Sequence, residues 1–176
     1  MERWSDLERA VQIACAELWE QVWPTDGTPD PAERIHKMDV RSAELRDERV
    51  HLALDADGTV VALARTFEHT IGYGDDDREI VALASVCSDP QRRGEGFGDA
   101  VVHAAFRRVD DRGVPSLFQT PVPGFYERFD CRVVNNEITT TAPGAEAFDD
   151  PWAMICLLYT SPSPRDRTRS RMPSSA

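Results

Sequence analysis

The chain contains three closely spaced glycines, Gly94, Gly96 and Gly98. An apolar run at residues 80–86 predicts a buried strand before them, and this strand must end by Pro90, which has no N–H to donate to a ladder. Glycines let a ligand approach the backbone, and the free N–H groups of a helix's first turn favour phosphate oxygens. Because an apolar helical pattern follows the glycines, the order of strand, turn and helix predicts an anion-binding site beside Arg92 and Arg93.

The spacing of the glycines separates three kinds of turn. A Walker A loop needs Gly-x4-Gly-Lys-Ser/Thr, and no lysine follows these glycines. A Rossmann turn needs Gly-x-Gly-x-x-Gly, whereas Asp99 stands where the third glycine would be. The remaining pattern, Gln91-Arg92-Arg93-Gly94-Glu95-Gly96, resembles the Gln/Arg-x-x-Gly-x-Gly/Ala signature of the GNAT superfamily of N-acetyltransferases. A glycine turn that binds nothing is the structural alternative.

A second pattern downstream resembles another GNAT signature. Residues 125–129, Phe-Tyr-Glu-Arg-Phe, predict a short helix that a turn and a strand follow. The two patterns stand in the family's order, and the resemblance covers residues 50–141 well. Two positions depart from the family. Asp130 replaces a glycine in the turn, which aspartate tolerates, and Thr120 and Pro121 occupy the place of an asparagine that contacts coenzyme A.

The resemblance implies acetyl-coenzyme A (acetyl-CoA) as co-substrate, with its pyrophosphate on the glycine turn. In the family, the strand before the turn and the strand after the next helix splay apart, and the pantetheine arm lies in the gap like an extra strand. A main-chain N–H of the central strand can then stabilise the thioester oxygen while an amine attacks. The positions that the resemblance assigns to cofactor binding are Val86, Ser88, Gln91, Arg92, Arg93, Gly94, Glu95, Gly96, Phe97 and Gly98.

Two side chains are candidates for proton transfer. Tyr126 occupies the position at which many GNAT members use a tyrosine to protonate the leaving thiolate, and a role as a core aromatic residue is the alternative. Glu79 is a candidate base for the amine, since some histone-modifying relatives carry a glutamate early in this strand. Their glutamate corresponds to Ile80, however, and a shift of one residue turns a strand side chain to the other face unless a bulge intervenes. A water chain is the alternative to a base.

Composition limits the class of protein. At 176 residues and a formal net charge of −11, the chain suits one domain with a sizeable core. The negative charge argues against a nucleic-acid partner and is compatible with an amine-bearing substrate. No signal peptide and no apolar run of about 18 residues is present, so we expect a cytoplasmic protein without a membrane partner. The expected partner is a small-molecule or peptide amine, and a homodimer is left open.

The four cysteines lie far apart without a Cys-x-x-Cys pair, and the four histidines show no ligand spacing. We therefore expect reduced, buried thiols and no metal. The aromatic residues near the N-terminus, Trp4, Trp19 and Trp23, are interpreted as packing residues rather than as ligand contacts.

The elements around the glycine turn follow from hydrophobic periodicity. A helix is predicted over residues 5–23, with Ser5 and Glu8 as a capping box, and Pro31 starts a second helix through about Leu45. Strands are expected at residues 50–54, 59–71, 78–89 and 115–120, with turns at residues 55–58 and 72–77 that make the first three antiparallel.

The predicted fold class is α+β, of the α/β three-layer type. It has a mixed, mostly antiparallel central sheet with splayed central strands, flanked by helices, as in GNAT domains. A nucleotide-binding enzyme would need a parallel sheet, so the antiparallel turns argue against that third interpretation.

The last residues differ in composition from the rest. Residues 156–176 are rich in Ser, Pro and Arg and lack an apolar period. A basic disordered tail is one interpretation. The preferred one is that the segment resembles a translated sequencing adapter, so residues 1–155 are the domain and its natural C-terminus, in a last strand that starts near residue 152, is lost.

Two functional hypotheses remain. The first is an acyltransferase that moves an acetyl group from acetyl-CoA to a primary amine by direct attack in a ternary complex. The second is a non-catalytic module of the same fold that binds acyl-CoA as a sensor or partner subunit. The identity of the acceptor does not follow from these residues.

Overall fold

The computed structural model describes residues 1–27, 30–134 and 153–156. Its helices and strands, in chain order, are α1 (Arg9–Val22), α2 (Pro31–Glu44), β1 (Arg46–Leu54), β2 (Val60–Tyr73), β3 (Asp76–Ser88), α3 (Phe97–Arg112), β4 (Ser116–Gln119), α4 (Pro123–Glu127), β5 (Cys131–Val133) and β6 (Ala153–Cys156). Short 3-10 turns precede α1 and α3, at Trp4–Asp6 and Pro90–Arg92. None of the described helices is long and apolar enough to cross a membrane.

The strands form one mixed sheet in the order β1-β2-β3-β4-β6-β5. β1, β2 and β3 are antiparallel neighbours, and so are β4, β6 and β5. Between these two groups, β3 and β4 run parallel and pair at Val81↔Ser116 and Ala82↔Leu117. The predicted α+β fold with a mostly antiparallel sheet is therefore confirmed, and the antiparallel strands ahead of the glycine turn exclude the parallel sheet of the third interpretation.

The hairpin between β2 and β3 is tighter than predicted. β2 continues to Tyr73 and β3 begins at Asp76, so the expected loop over residues 72–77 is a turn at Gly74 and Asp75. Gly74 has a φ of +62° there, which glycine adopts without strain. The longer strands extend the pairing of β2 with β3 by several residues at the end far from the glycine turn.

Helices cover both faces of the sheet, which gives the three predicted layers. On one face, α3 packs its apolar side against β2 and β3, in a core that includes Val101, Val102, Ala105, Val109, Ala62, Ala64 and Val81. On the other face, α1 and α2 cover β1 and β2, in a core that includes Leu18, Trp19, Ile35, Met38, Val50 and Leu63. The glycine turn and α1 therefore lie on opposite sides of the sheet.

The start of α1 differs from the prediction. Ser5 lies in the first 3-10 turn, and the helix begins only at Arg9, so the predicted capping box of Ser5 and Glu8 is wrong. The cause is tertiary, because Trp4 is fully buried and its Nε1 donates a hydrogen bond to Asp39 at 2.7 Å. Because this ring is buried, the residues between Trp4 and Arg9 are kept out of the helix.

The start of α2 agrees with the prediction. Pro31 is its first residue, and the Asp30 side chain caps it by accepting a hydrogen bond from the Ala32 N–H at 2.8 Å. A last strand is also present where it was predicted, since β6 begins at Ala153. It includes Cys156, which the prediction assigned to the tail. Residue 152, where the strand was expected to start, and residues 157–176 of the predicted tail lie outside the described residues.

A buried polar cluster ties α3 to the sheet. Arg108 of α3 donates from Nη1 to the Thr66 hydroxyl at 2.6 Å and from Nη2 to the Asp47 carboxylate at 2.9 Å. The Thr66 hydroxyl also lies 2.9 Å from His51 Nε2, and His51 is 3% exposed. Burial, with Arg108 as a nearby positive charge, lowers the pKa of His51 to about 4. The cluster fixes the position of α3 and so of the turn before it.

Candidate active site

The glycine turn between β3 and α3 opens with a 3-10 turn that Asp89 caps, since its Oδ1 accepts a hydrogen bond from the Gln91 N–H at 2.8 Å. Gly94 and Gly96 then adopt left-handed conformations, with φ values of +88° and +87°. α3 begins directly after Gly96, so the N–H groups of its first turn have no carbonyl partner within the helix. The turn therefore presents amide donors at the positive end of a helix, as the sequence predicts.

The two arginines of the turn have different environments. Arg92 donates to Asp55 at 3.0 Å and to Glu95 at 2.7 Å, and its guanidinium lies 4.9 Å from the centre of the Phe97 ring. The hydrogen bonds with Glu95 raise the pKa of Arg92, so its charge is already neutralised by carboxylates. Arg93 is exposed and has no ion-pair partner among the described residues. Arg93 is thus the arginine of the turn that is available to an anion.

A groove opens where β3 and β4 separate. Beyond their two paired positions the strands diverge, and residues 83–88 of β3 and 118–119 of β4 line the opposite walls. The groove has a volume of about 720 Å³ and is continuous with the glycine turn. The backbone groups of residues 83–88 that face β4 are not used by the β3–β4 ladder, and such groups seek another partner.

A β-bulge shapes the groove wall. Between the pairs that flank it, β3 has two residues, Ser85 and Val86, where β2 has Ala64 alone. Ser85 has a φ of +53°, which is uncommon for a residue other than glycine. A bulge leaves its extra residue outside the ladder and bends the strand. No sequence signal marked this position, because Ser85 is a single polar residue within the otherwise apolar run at residues 80–86.

The structure brings most of the predicted cofactor residues together. Those that line the groove are Val86, Ser88, Arg92, Arg93, Gly94, Gly96, Phe97 and Gly98. Gln91 and Glu95 belong to the same turn but are not among the lining residues; the Gln91 backbone N–H donates to Asp89, and the Glu95 side chain pairs with Arg92. Direct cofactor contact by these residues stays a prediction.

Tyr126 lies in α4 at the groove, where it is 5% exposed. Its ring packs against Phe118 and Phe125, with ring centres 4.7 Å and 4.9 Å apart. Burial raises the pKa of Tyr126 to about 12, although a hydrogen bond with the Thr120 side chain acts in the opposite direction. The phenol is therefore protonated at neutral pH and lines the same groove as the bulge.

Glu79 does not join Tyr126 in the groove. It lies nearer the start of β3, its side chain is 57% exposed, and it accepts a hydrogen bond from Arg46 at 3.0 Å. Ile80, the position that corresponds to the relatives' glutamate, is buried in the sheet. Among the described residues that line the groove, Asp99 is the one carboxylate, and it lies 2.5 Å from Arg128.

α4 is fixed against the first turn of α3. A Cβ at Gly98 would make an ordinary van der Waals contact with the Phe125 ring at 3.6 Å, so the two helices lie close together there. The Arg128 guanidinium stacks 4.2 Å from the centre of the Phe125 ring while it pairs with Asp99. Asp130 ends the segment with a φ of +59°, which confirms that aspartate adopts the left-handed turn.

One aromatic residue was misassigned from the sequence. Trp4 and Trp19 are buried core residues, as predicted, with exposed fractions of 0% and 3%. Trp23 is 46% exposed and lines the groove with Val22, so its interpretation as a packing residue is wrong. Trp23 follows the last residue of α1 and precedes Pro24, so it lies outside the helical periodicity that marks the core positions.

The four cysteines are buried and not joined in disulfides, as predicted. Burial raises the pKa of the Cys15 and Cys87 thiols to about 12, so they are not nucleophiles at neutral pH. Within the described residues, no group of three or more His, Cys, Asp or Glu side chains could hold a metal ion.

Comparison with known proteins supplies a family profile. The profile of the acetyltransferase (GNAT) domain matches residues 7–134. That range contains the glycine turn, the groove and Tyr126. No curated protein sequence matches the chain.

Solved structures share the fold at low sequence identity. A histone acetyltransferase HPA2 and related acetyltransferase from Corynebacterium glutamicum superposes with a TM-score of 0.62 at 13% identity, over 96% of each chain. A GNAT family N-acetyltransferase from Escherichia coli in complex with CoA gives 0.58 at 16%, over 85% of this chain and 77% of that one. A conserved protein from Enterococcus faecalis gives 0.59 at 14%, over 72% of this chain and 31% of that one, so this chain spans about a third of that relative.

Proposed function

The chain belongs to the GNAT acetyltransferase family, and on that premise we propose that it transfers an acetyl group from acetyl-CoA to a primary amine by direct attack in a ternary complex. Coenzyme A is the ligand of the Escherichia coli structure with the same fold. The residues present fit this ligand. Its diphosphate needs amide donors and positive charge, which residues 94–98 and Arg93 supply, and its thioester arm needs a narrow slot, which the diverging strands supply.

One observation carries the proposal. The glycine turn and the gap between β3 and β4 open into the same groove, so an extended molecule bound at its phosphates on the turn reaches the gap with its other end. The bulge at Ser85 lies along that path. Backbone N–H groups near the bulge are our candidates to stabilise the oxygen of the tetrahedral intermediate.

In the proposed reaction, the amine nitrogen forms a bond to the acetyl carbon, and the bond from that carbon to the coenzyme A sulfur breaks. The leaving thiolate takes the hydroxyl proton of Tyr126, and the nitrogen releases its proton to water. Tyr126 regains a proton from solvent. Its place in the groove supports this role, and burial, which raises its pKa, keeps the phenol protonated at neutral pH.

We do not assign the base to Glu79, because it lies outside the groove and pairs with Arg46. Asp99 is paired with Arg128 at the first turn of α3. The proposed reaction therefore uses an amine that is already neutral when it attacks, with water as the proton acceptor. Placing the neutral amine against the thioester supplies much of the rate.

The test is acetyl transfer by the purified full chain. Acetyl-CoA is mixed with a panel of primary amines, namely an amino acid, an aminoglycoside, an arylalkylamine and a peptide with a free N-terminus. Free thiol and the mass of the acetylated amine are then followed together, and acetyl-CoA binding is measured separately by calorimetry. We expect thiol and product in equal amounts with at least one amine.

The second candidate is the module that binds acyl-CoA without transferring it. It is favoured by the observation that, among the described groove residues, no unpaired carboxylate or histidine is available as a base. Tight acetyl-CoA binding with no thiol release across the panel would support the module and contradict the acetyltransferase. Absence of acetyl-CoA binding would contradict both.

A further inference from the structure

The described residues of the groove offer no unpaired carboxylate, although the chain is acidic. The sequence carries a formal net charge of −11, yet the charged residues that line the described groove are Arg92, Arg93, Arg128 and Asp99. Asp99 is paired with Arg128, and Arg92 is paired with Asp55 and Glu95. Among these lining residues, the one unpaired charge is therefore the positive charge of Arg93.

Apolar residues from outside β3, β4 and the glycine turn also line the groove. The glycine turn and α3 lie on one face of the sheet, whereas Val22 and Trp23 come from α1, which packs on the other face. Trp23 is 46% exposed. Val122, beyond the end of β4, lines the same groove and is 55% exposed. An acceptor that approaches the thioester from the α1 side therefore meets apolar surface.

Hydrogen bonds hold the backbone of Trp23 in place. Its N–H donates to the Trp19 carbonyl at 2.7 Å, and its carbonyl accepts a hydrogen bond from Arg34 Nη2 at 3.0 Å. Arg34 also pairs with Glu20 at 2.5 Å, and the same carboxylate accepts the Thr25 N–H at 2.6 Å. The indole is thus presented on a fixed backbone with its surface open to water, which is the arrangement of a preorganised apolar contact.

We propose that the acceptor is a primary amine carried on an apolar body, such as an aryl or branched alkyl group, and that Trp23 determines this specificity. The inference rests on the proposed acetyl transfer and names its substrate class. Burial of the apolar body against Trp23 and Val122 supplies the binding energy, whereas the extra cations of a polyamine or lysine-rich peptide would find no unpaired carboxylate among the described groove residues.

The test compares three amines that share a primary amino group and differ in the body that carries it: phenethylamine, ethanolamine and spermidine. For the wild type, kcat/KM with acetyl-CoA should be at least about tenfold higher for phenethylamine than for either other amine. Trp23→Ala should lower the phenethylamine value by about tenfold and leave the ethanolamine value within about twofold. Tyr73→Ala is the matched control, because Tyr73 is a 63% exposed aromatic residue outside the groove lining, and it should change neither value.

A binding measurement separates this inference from the transfer reaction. Calorimetric titration of phenethylamine into protein saturated with coenzyme A needs no turnover, and we expect binding that Trp23→Ala weakens by about tenfold. Binding of this kind without thiol release would overturn the proposed transfer and uphold the apolar acceptor site. Transfer with a preference for spermidine, an equal effect of Trp23→Ala on all three amines, or no binding of phenethylamine would overturn the inference.

Discussion

The ring of Tyr126 is positioned by Phe118 and Phe125, so its placement in the groove does not depend on the hydroxyl. Tyr126→Phe removes the proton donor and keeps this packing. We expect kcat to fall by about 100-fold, because general acid catalysis contributes on that order. Acetyl-CoA affinity should stay within about twofold, since the phosphates bind at the glycine turn.

The pH profile checks the same role. Because the pKa of Tyr126 is raised to about 12, its ionisation should not lower the rate at any pH below about 11. Steady-state kinetics of the wild type and Tyr126→Phe over this range make the measurement. Equal rates for the two proteins at every pH would remove Tyr126 from the mechanism.

The two arginines of the glycine turn give a second test at this scale. Arg93 is unpaired among the described residues, so Arg93→Ala should weaken acetyl-CoA binding by about tenfold without lowering stability. Arg92 is paired with Asp55 and Glu95, so Arg92→Ala should lower the melting temperature through the loss of these contacts. Calorimetry and thermal unfolding measure both effects. The reverse assignment, with Arg92→Ala weakening binding more than Arg93→Ala, would contradict it.

The turn into α3 favours glycine at position 96 and tolerates another residue at position 98. Gly96 has a φ of +87° with open space around it, so Gly96→Ala should lower the free energy of unfolding by about 1 kcal/mol through strain alone. Gly98 lies within the helix, where a Cβ would make an ordinary contact with Phe125 at 3.6 Å. Gly98→Ala should therefore keep or raise stability, by up to about 1 kcal/mol, because alanine favours helix.

Chemical denaturation of the two alanine variants measures this difference. The pair is well matched because both substitutions add one methyl group to the same turn. An equal loss of stability in both would show that crowding, rather than backbone conformation, selects glycine here.

Elements whose signal is local could be predicted from the sequence. Pro31 with Asp30 marked the start of α2, and the left-handed Gly94 and Gly96 lie where the motif placed them. The turn at Asp130 was predictable for the same reason, because a short polar side chain tolerates positive φ. In each case the residue type itself limits the backbone.

Features set by distant contacts could not be predicted. Burial of Trp4 against the core displaces the start of α1, and the partner of Arg92 is Asp55, which belongs to another hairpin. The bulge at Ser85 depends on the register between β2 and β3, which an apolar run does not specify. The motif predicted the glycines of the turn, whereas nothing in it indicated that Trp23, at the end of α1, lines the same groove.

At the scale of the whole molecule, the His51–Thr66–Arg108 cluster links β1, β2 and α3, so its titration affects global stability. The pKa of His51 is about 4 in the folded state, below the ordinary value of 6.5. Between these values the unfolded chain binds a proton that the folded chain does not, so stability falls as the pH falls. From pH 7 to pH 5 we expect a loss of ~2 kcal/mol from this residue.

Urea unfolding at the two pH values measures this contribution. His51→Gln can keep a hydrogen bond to Thr66 and cannot gain the proton, so its stability should depend less on pH by ~2 kcal/mol. His36, which is exposed on α2, provides the control, and His36→Gln should behave as the wild type. The same pH dependence in His51→Gln as in the wild type would contradict the assignment.

Three statements about the whole molecule stay predictions. They are the cytoplasmic location, a possible homodimer and the adapter origin of residues 156–176.

Two residue pairs, Val81↔Ser116 and Ala82↔Leu117, join the meander of β1, β2 and β3 to the group of β4, β6 and β5. A ligand arm bound between β3 and β4 would fill the part of the sheet where these strands do not pair, and would hold the two groups of strands together. Amide hydrogens on the facing edges of β3 and β4 should then exchange with deuterium more slowly when the ligand is bound. The co-substrate would in this way be a mechanical part of the sheet as well as a reactant.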